Sequence, residues 1–464
     1  MRDPIRINPV SALAERARAF FRTDVTRDID FRKAKLKSFA AAVRAHENEI
    51  LDALAKDFGR PRYEAYPSEV GALVAEALEA ARLVTEWARP KRVPGPLVIF
   101  PSKSFITPDP LGTALILAPW NYPLNLALSP LVGAIAAGCN AVLKPSELSP
   151  ASAAVFEKVC RAAFGDDGFV TVVQGDVSTA QALLEEKWDI ICFTGSPRVG
   201  KSVMEAAAKH LTPVILELGG KSPVIIDESV NLKTACERVA WGKFFNAGQT
   251  CVAPDYALVH RKSKDAFVAG LKAALGRFYG QNPQMSPDYT RIISDRHMQR
   301  LVSLTSGGRV VIGGECDLKT RYFAPTVLTD VDLGSPLMTE EIFGPLLPIV
   351  EVDSVDAAIA FVRDRPKPLA LYVFTKNSKA GEKVLNLTSS GGAVINDVIS
   401  HWANSNLPFG GVGNSGMGAY HGEHSFHAFT HHRAVLKRPS WSADGVIRLP
   451  PYPSSLFAWK KLIG

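Results

Sequence analysis

The chain has 464 residues, of which 47% are apolar and 21% charged, and it carries a formal net charge of +7. At roughly 100–200 residues per domain, this length calls for two domains and a small additional element. The basic excess is modest and no Lys/Arg block reads as a nucleic-acid patch, so the charge supports no more than attraction to an anionic cofactor or surface. Six scattered cysteines without a Cys-x-x-Cys pair argue against a zinc ribbon or a dithiol site. The start, Met1-Arg2-Asp3-Pro4-Ile5-Arg6, runs into a charged helical pattern and lacks the apolar core of a signal peptide. A cytoplasmic protein with reduced thiols is the expectation.

Residues 9 to about 90 read as helices. Apolar side chains recur at helical spacing, as in Phe39, Val43, Ile50, Leu51 and Leu54. Gly59-Arg60-Pro61 interrupts the pattern and Pro90 ends it. Pro94 to Leu111 is strand-like and Pro-rich and reads as an extended arm. Strands are then predicted at Thr113-Leu117, Ala141-Lys144, Val170-Gln174, Ile190-Thr194 and Val214-Glu217. Helices are predicted between them at Leu124-Ala137, Ser149-Phe164, Thr179-Glu185 and Val199-His210. This rhythm specifies a parallel sheet with helices on both faces. Leu124 to Leu143 has no charge over 20 residues, but Pro130, Gly133, Gly138 and Asn140 fit a buried helix and strand better than a membrane span. Past Cys251 a second alternating region has strands near Tyr256-His260, Val310-Ile312, Leu347-Val352, Leu371-Phe374 and Ala393-Asn396. The stretch from Arg448 to Gly464, Pro- and aromatic-rich, reads as a tail lying on a surface.

Four segments could carry chemistry. The buried strand ending at Thr194 runs into Gly195-Ser196-Pro197-Arg198-Val199-Gly200 and then a helix, and a glycine turn opening a helix aims free N–H groups at a pyrophosphate. Without a full Gly-x-Gly-x-x-Gly, that turn also reads as a simple strand-to-helix connection. Lys144-Pro145-Ser146-Glu147 follows a strand of the same sheet, where a ribose lies in doubly wound folds. Glu217 ends an apolar strand and is followed by Gly219-Gly220, which let a ligand approach closely. Cys251 follows Gly248-Gln249-Thr250, a polar loop that suits a reachable thiol held as thiolate. Cys139, Cys160, Cys192 and Cys236 have apolar or helical neighbours and read as small core residues. Together with Asn121 in Pro119-Trp120-Asn121-Tyr122-Pro123, these supply a thiol nucleophile, a carboxylate base and an amide donor for covalent chemistry on a carbonyl carbon. His421, His424 and His427 lie three apart, but Gly418 and Gly422 weaken a regular helix there, and no metal site is expected.

The ordered set Pro119-Trp120-Asn121-Tyr122-Pro123, Lys144-Pro145-Ser146-Glu147, Phe193-Thr194-Gly195-Ser196, Leu216-Glu217-Leu218-Gly219-Gly220-Lys221, Gly248-Gln249-Thr250-Cys251, Glu341-Ile342-Phe343-Gly344-Pro345 and Pro408-Phe409-Gly410-Gly411 resembles the NAD(P)-dependent aldehyde dehydrogenases over nearly the whole chain. Gly413 to Gly422 is most similar to the class 3 branch, which includes fatty and aromatic aldehyde enzymes. The resemblance implies an α/β fold of two parallel-sheet domains, one for cofactor and one for catalysis, with a small oligomerisation arm. It divides the chain into 1–93 and 112–217 for the dinucleotide, 218–410 for catalysis, and 94–111 with 411–464 as arm and tail. It further implies Cys251 as nucleophile, Glu217 as the base for the deacylating water, and an oxyanion hole from the Asn121 side chain and the Cys251 N–H. Lys144 and Glu147 would hold the adenosine ribose of NAD or NADP. Gly195 and Ser196 would meet the pyrophosphate, and Glu341 the nicotinamide ribose. Phe343 would lie against the nicotinamide end, with Trp120, Leu218 and Gly219 completing the cofactor site. The expected partners are a small-molecule aldehyde and a second copy of the chain. The membrane-anchored relatives carry a long apolar tail, whereas Lys460-Lys461-Leu462-Ile463-Gly464 ends this chain, so no stable anchor is expected. The alternatives are a coenzyme A-acylating relative, against which Glu217 argues, and a silent binding or structural relative, against which the intact Cys251, Glu217 and Asn121 argue.

Overall fold

The computed structural model describes residues 9–441, 449–452, 454–457 and 460. The extreme C-terminal residues of the expected surface tail, 461–464, lie outside the described residues, as does the start of the chain, 1–8. Two parallel-rich sheets organise the molecule. The first has six strands in the order Gly416–Met417, Val214–Leu218, Ile190–Gly195, Thr113–Leu117, Asn140–Lys144 and Val170–Val172. The second has seven, in the order Arg309–Ile312, Thr326–Thr329, Leu346–Val352, Tyr256–His260, Pro223–Ile226, Ala370–Phe374 and Gly392–Ile395. Each is parallel except for one antiparallel edge strand, Gly416–Met417 in the first and Arg309–Ile312 in the second.

Thr113–Leu117 and Asn140–Lys144 are buried at every residue. This is what a central parallel strand covered on both faces requires, and it explains their unbroken apolar runs. The uncharged stretch from Leu124 resolves into the wholly buried helix Asn125–Ala137 and the strand that follows it. Among the described residues no helix is long and apolar enough to cross a membrane. The N-terminal helices Ile29–Ala45, Glu47–Phe58 and Ala72–Trp87 pack on this layer, with Phe39, Val43, Ile50, Leu51 and Leu54 all in its core.

A third sheet stands apart. Lys103–Pro110 is its centre, flanked antiparallel by Lys91–Val93 and by Thr430–Lys437. The arm is therefore divided differently from the sequence-based boundaries. Lys91–Val93 joins it, and 411–429 does not. Gly416 pairs with Glu217 at the edge of the first sheet, in a backbone conformation (φ +145°) that favours glycine. The helix Gly422–Ala428 lies on Asn125–Ala137, where a Cβ at Gly133 would sit 2.4 Å from Ser425 Cβ. Only the small residue lets those two helices close, so this segment is built into the unit around the first sheet.

Candidate active site

Glu217 and Leu218 end a strand of the first sheet, whereas Cys251 and Glu341–Phe343 immediately precede the strands Tyr256–His260 and Leu346–Val352 of the second. The C-terminal edge of one sheet thus faces the N-terminal edge of the other. Between them lies a cavity of about 1250 Å³ lined by Trp120, Asn121, Gly195, Ser196, Glu217, Leu218, Gly219, Cys251, Glu341, Phe343 and Tyr420, among others. Such a crevice beyond strand C-termini is where open α/β sheets bind ligands.

The loop carrying Cys251 is held by its backbone. Asn246, Ala247 and Gly248 are all left-handed, with φ of 51°, 51° and 74°. A Cβ at Gly248 would fall 2.3 Å from the Gly344 carbonyl. Gln249 is buried and fully used: its amide donates to the carbonyls of Asn246 (3.1 Å) and Arg291 (3.0 Å), and its Oε1 accepts the Ile293 N–H (2.9 Å). Asn121 Nδ2 donates to the Gln249 carbonyl at 3.1 Å, which fixes the amide beside the thiol loop. Thr250 Oγ1 lies 2.7 Å from the Tyr122 hydroxyl.

Beneath this loop is a group of charges that sequence reasoning missed. Arg60, read only as part of a helix break, is fully buried. It pairs with Glu64 (3.3 Å) and Glu69 (3.1 Å), and its guanidinium sits 4.4 Å from the centre of the Tyr122 ring. Glu64 accepts the Asn246 N–H at 3.0 Å, while Glu69 caps the helix after Asn121 by accepting from Leu124 and Asn125. Glu69 is pushed up to about 7 by burial, against the pull of Arg60. No local pattern announces such a set, because its members meet only in the fold. Arg60→Ala leaves two buried carboxylates uncompensated and is expected to destabilise the protein by about 3–5 kcal/mol, read as a lower denaturant midpoint.

Glu217 is buried, and neither of its oxygens has a hydrogen-bond partner among the described residues. Burial raises its pKa well above the usual carboxylate range. The Cys251 thiol is pushed up to about 12, first by burial and then by the nearby Glu341 and Glu217 carboxylates. The surroundings of Cys251 thus do not favour the expected thiolate: desolvation and two acidic neighbours favour the protonated sulfur.

Gly195 closes its strand, and Ser196 caps the helix Pro197–Ala208 by accepting the Val199 N–H, so that the helix starts at the cavity wall, where Ser196, Pro197 and Arg198 line it. Glu341 lies over Gly219, where a Cβ would come 1.9 Å from its Oε2, and burial with the neighbouring Asp255 pushes it up to about 8. The Trp120 and Phe343 rings meet edge to face at 5.4 Å. Lys144 and Glu147 do not line the cavity; they pair with each other at 2.8 Å at the end of Asn140–Lys144, next to Ala118, whose N–H donates to the Lys144 carbonyl. The cavity, the helix N-terminus and the glycines that keep Cβ atoms out of it fit a dinucleotide.

The histidines separate. His421 is buried, stacked on Phe409 at 5.0 Å and pushed down to about 3 by burial. His427 faces outward between Glu423 (3.2 Å) and His432 (2.9 Å). Among the described residues no group of three or more His, Cys, Asp or Glu could hold a metal ion.

A family model described as the aldehyde dehydrogenase family matches residues 8–435. The chain is 48% identical to a 4,4'-diaponeurosporen-aldehyde dehydrogenase of Staphylococcus aureus, over 94% of this chain and 95% of that one. It is 47% identical to human aldehyde dehydrogenase family 3 member B1, over 96% and 95%. A solved structure of Staphylococcus aureus AldH in a substrate-bound state superposes with a TM-score of 0.96, at 46% identity, over 98% of this chain and 100% of that one. An indole-3-acetaldehyde dehydrogenase complexed with NAD+ superposes at 0.85, with 26% identity over 93% and 89%. The chain belongs to the aldehyde dehydrogenase family and is an NAD(P)-dependent oxidoreductase acting on aldehydes.

Proposed function

We propose that the protein oxidises a medium- or long-chain aliphatic or aromatic aldehyde to the free carboxylic acid through a thioester on Cys251. The observation that carries this reading is one cavity wall shared by a thiol, an unpartnered buried carboxylate and an amide donor. The thiolate form of Cys251, its proton given up beforehand, adds its sulfur to the aldehyde carbon, and the Asn121 amide and the Cys251 N–H hold the oxygen as charge develops on it. Bound NAD(P)+ supplies the acceptor for the two electrons that leave the substrate. Glu217 then takes a proton from the water that cleaves the thioester. Glu341 and Phe343, with Trp120, position the nicotinamide end, and Gly195, Ser196, Leu218 and Gly219 give the backbone room to approach the phosphates. The Lys144–Glu147 pair, at the end of Asn140–Lys144, would hold the adenosine ribose at its 2′-hydroxyl or 2′-phosphate.

The substrate class is supported by an aromatic run leading away from the thiol loop. Tyr122 stacks with Phe245 at 6.5 Å, and Phe245 meets the half-exposed Trp241 at 5.4 Å. Relatives named for 4,4'-diaponeurosporen-aldehyde and for indole-3-acetaldehyde lie in the same direction. An aldehyde panel followed at 340 nm with NAD+ and with NADP+, without coenzyme A, tests the reading. Carboxylic acid formed in step with reduced cofactor is expected, and an absolute need for coenzyme A rejects it. Because burial raises both Cys251 and Glu217, with acidic neighbours adding to the shift at Cys251, their reactive forms gain population as pH rises. Initial rates are expected to climb between about pH 6 and about pH 9, and a rate that falls over that range contradicts the assignment.

We also propose a cytoplasmic homodimer. The arm sheet has little core of its own and exposes Leu97, Phe100 and Leu436, a surface suited to a two-fold contact. Light scattering is expected to return twice the 50.2 kDa chain mass, and a stable monomer at micromolar concentration rejects the dimer.

A further inference from the structure

Two groups in the cavity are buried without a hydrogen-bond partner among the described residues. One is the Glu217 carboxylate; the other is the Tyr420 hydroxyl. Tyr420 is 0% exposed, yet it lines the same cavity as Cys251 and Asn121. Its ring is held edge-on by Phe409 at 5.7 Å and by His421 at 4.7 Å. Its backbone exchanges both hydrogen bonds with Phe409, at 2.8 and 2.9 Å. The pairing of Gly416 with Glu217 brings this segment of chain to the carboxylate. Phenylalanine would serve that packing equally well, so the hydroxyl is retained for something the cavity binds. Glu217 is the first of the charges acting on the phenol, with Cys251 also among them, and burial with these acids holds it protonated well above its usual pKa. A neutral O–H donor thus stays available in the cavity that the carboxylate lines.

We propose that Tyr420 is a catalytic residue of thioester hydrolysis, its hydroxyl holding the water that Glu217 deprotonates. The inference rests on the roles given above to Cys251 and Glu217. The water donates one hydrogen to a Glu217 oxygen and accepts the Tyr420 O–H, leaving a lone pair for the acyl carbon. As the new C–O bond forms, one water proton passes to Glu217. The C–S bond breaks, its electron pair returns to Cys251 sulfur, and the product carries away the other water hydrogen as a carboxylic acid. Tyr420 keeps its proton throughout. Two anchors orient a water where a single carboxylate would leave it free to rotate.

The test uses Tyr420→Phe, which keeps the ring packed on Phe409 and His421. With NAD+ and octanal in rapid mixing, the first turnover is expected to run at the wild-type rate, within about 2-fold, with steady turnover slowed by about 10-fold or more. Quenched mass spectrometry should show the acyl group on Cys251 and time its decay, slowed by the same factor. Decay of the adduct at the wild-type rate overturns the proposal, and so does a first turnover slowed as much as the steady state. Glu217→Gln run in parallel separates the two ideas. An adduct that persists in that variant but not in Tyr420→Phe removes Tyr420 alone. If no variant ever carries acyl on Cys251, the thioester reading fails and Tyr420 fails with it.

Discussion

Replacing Cys251 by alanine is expected to abolish aldehyde oxidation while NAD+ binding persists within a few-fold. The thiol supplies the bond to the substrate carbon, and no other cysteine can stand in for it. Cys139, Cys160, Cys192 and Cys236 are buried among core side chains, and Cys316 is exposed on a separate two-stranded sheet with Tyr322–Phe323. The surfaces that would meet the dinucleotide come instead from Gly195, Ser196, Gly219 and the start of Pro197–Ala208, and none of these leans on the Cys251 side chain. Loss of a covalent nucleophile removes the reaction path itself, so turnover should fall to the assay background. Fluorescence titration with NAD+ and the rate at 340 nm report the two properties separately. Retained turnover would remove Cys251 from the reaction, and lost cofactor affinity would mean that the loop, not the thiol, had been damaged. Cys192→Ala is the contrast: it should act through stability alone, by roughly 0.5–3 kcal/mol, as an ordinary core change.

Much of the architecture was legible because strands buried on both faces announce themselves. Thr113–Leu117 and Tyr256–His260 run between the residues expected for them, since unbroken apolar runs bounded by Gly, Pro or Asn leave little choice of ends. Pro223–Ile226 and Thr326–Thr329 escaped notice. Each is four residues long, and the first opens on a proline that reads locally as a breaker, although proline is tolerated at a strand's first residue. The segment 411–429 looked like tail because its glycines suppress any helical or strand pattern. Those same glycines let it approach the first sheet, with Gly416 against the Leu216 carbonyl and Gly422 against that of Ser405.

The candidate site was legible where a residue sits in a short punctuated motif, as Glu217 does before two glycines and Cys251 does after Gly248. It was not legible where the contacts are long-range. Arg60 reaches Tyr122 and Glu69 through tertiary packing, and Tyr420 enters the cavity only because an edge strand doubles back on Glu217. The charge state of the thiol was also out of reach. A polar loop suggests an ionised sulfur, whereas burial and the Glu341 and Glu217 carboxylates around it decide the opposite.

The expected result for Glu217→Gln separates the two halves of the reaction. The amide keeps the shape of the side chain and removes its basicity. Electron transfer out of the Cys251 adduct depends on the oxyanion donors, Asn121 and the Cys251 N–H, more than on a base for water. Thioester hydrolysis depends on an activated water, and Glu217 has both oxygens free to receive its proton. Loss of a positioned general base costs about 10²–10⁴-fold in rate. Glu217→Gln should therefore release close to one NADH per active site in a fast first phase, then turn over slowly by that factor. Intact-protein mass spectrometry should find the acyl group accumulated on Cys251. The raised thiol admits a second role for the same carboxylate, as acceptor of the Cys251 proton before addition. In that case the first phase slows as well, and it does so most at low pH, where the thiolate is scarcest. A first phase that is fast at every pH assigns Glu217 to water alone. An unimpaired steady rate excludes it from both steps and leaves Glu341, pushed up to about 8 and the other carboxylate acting on the sulfur, as the base to test next.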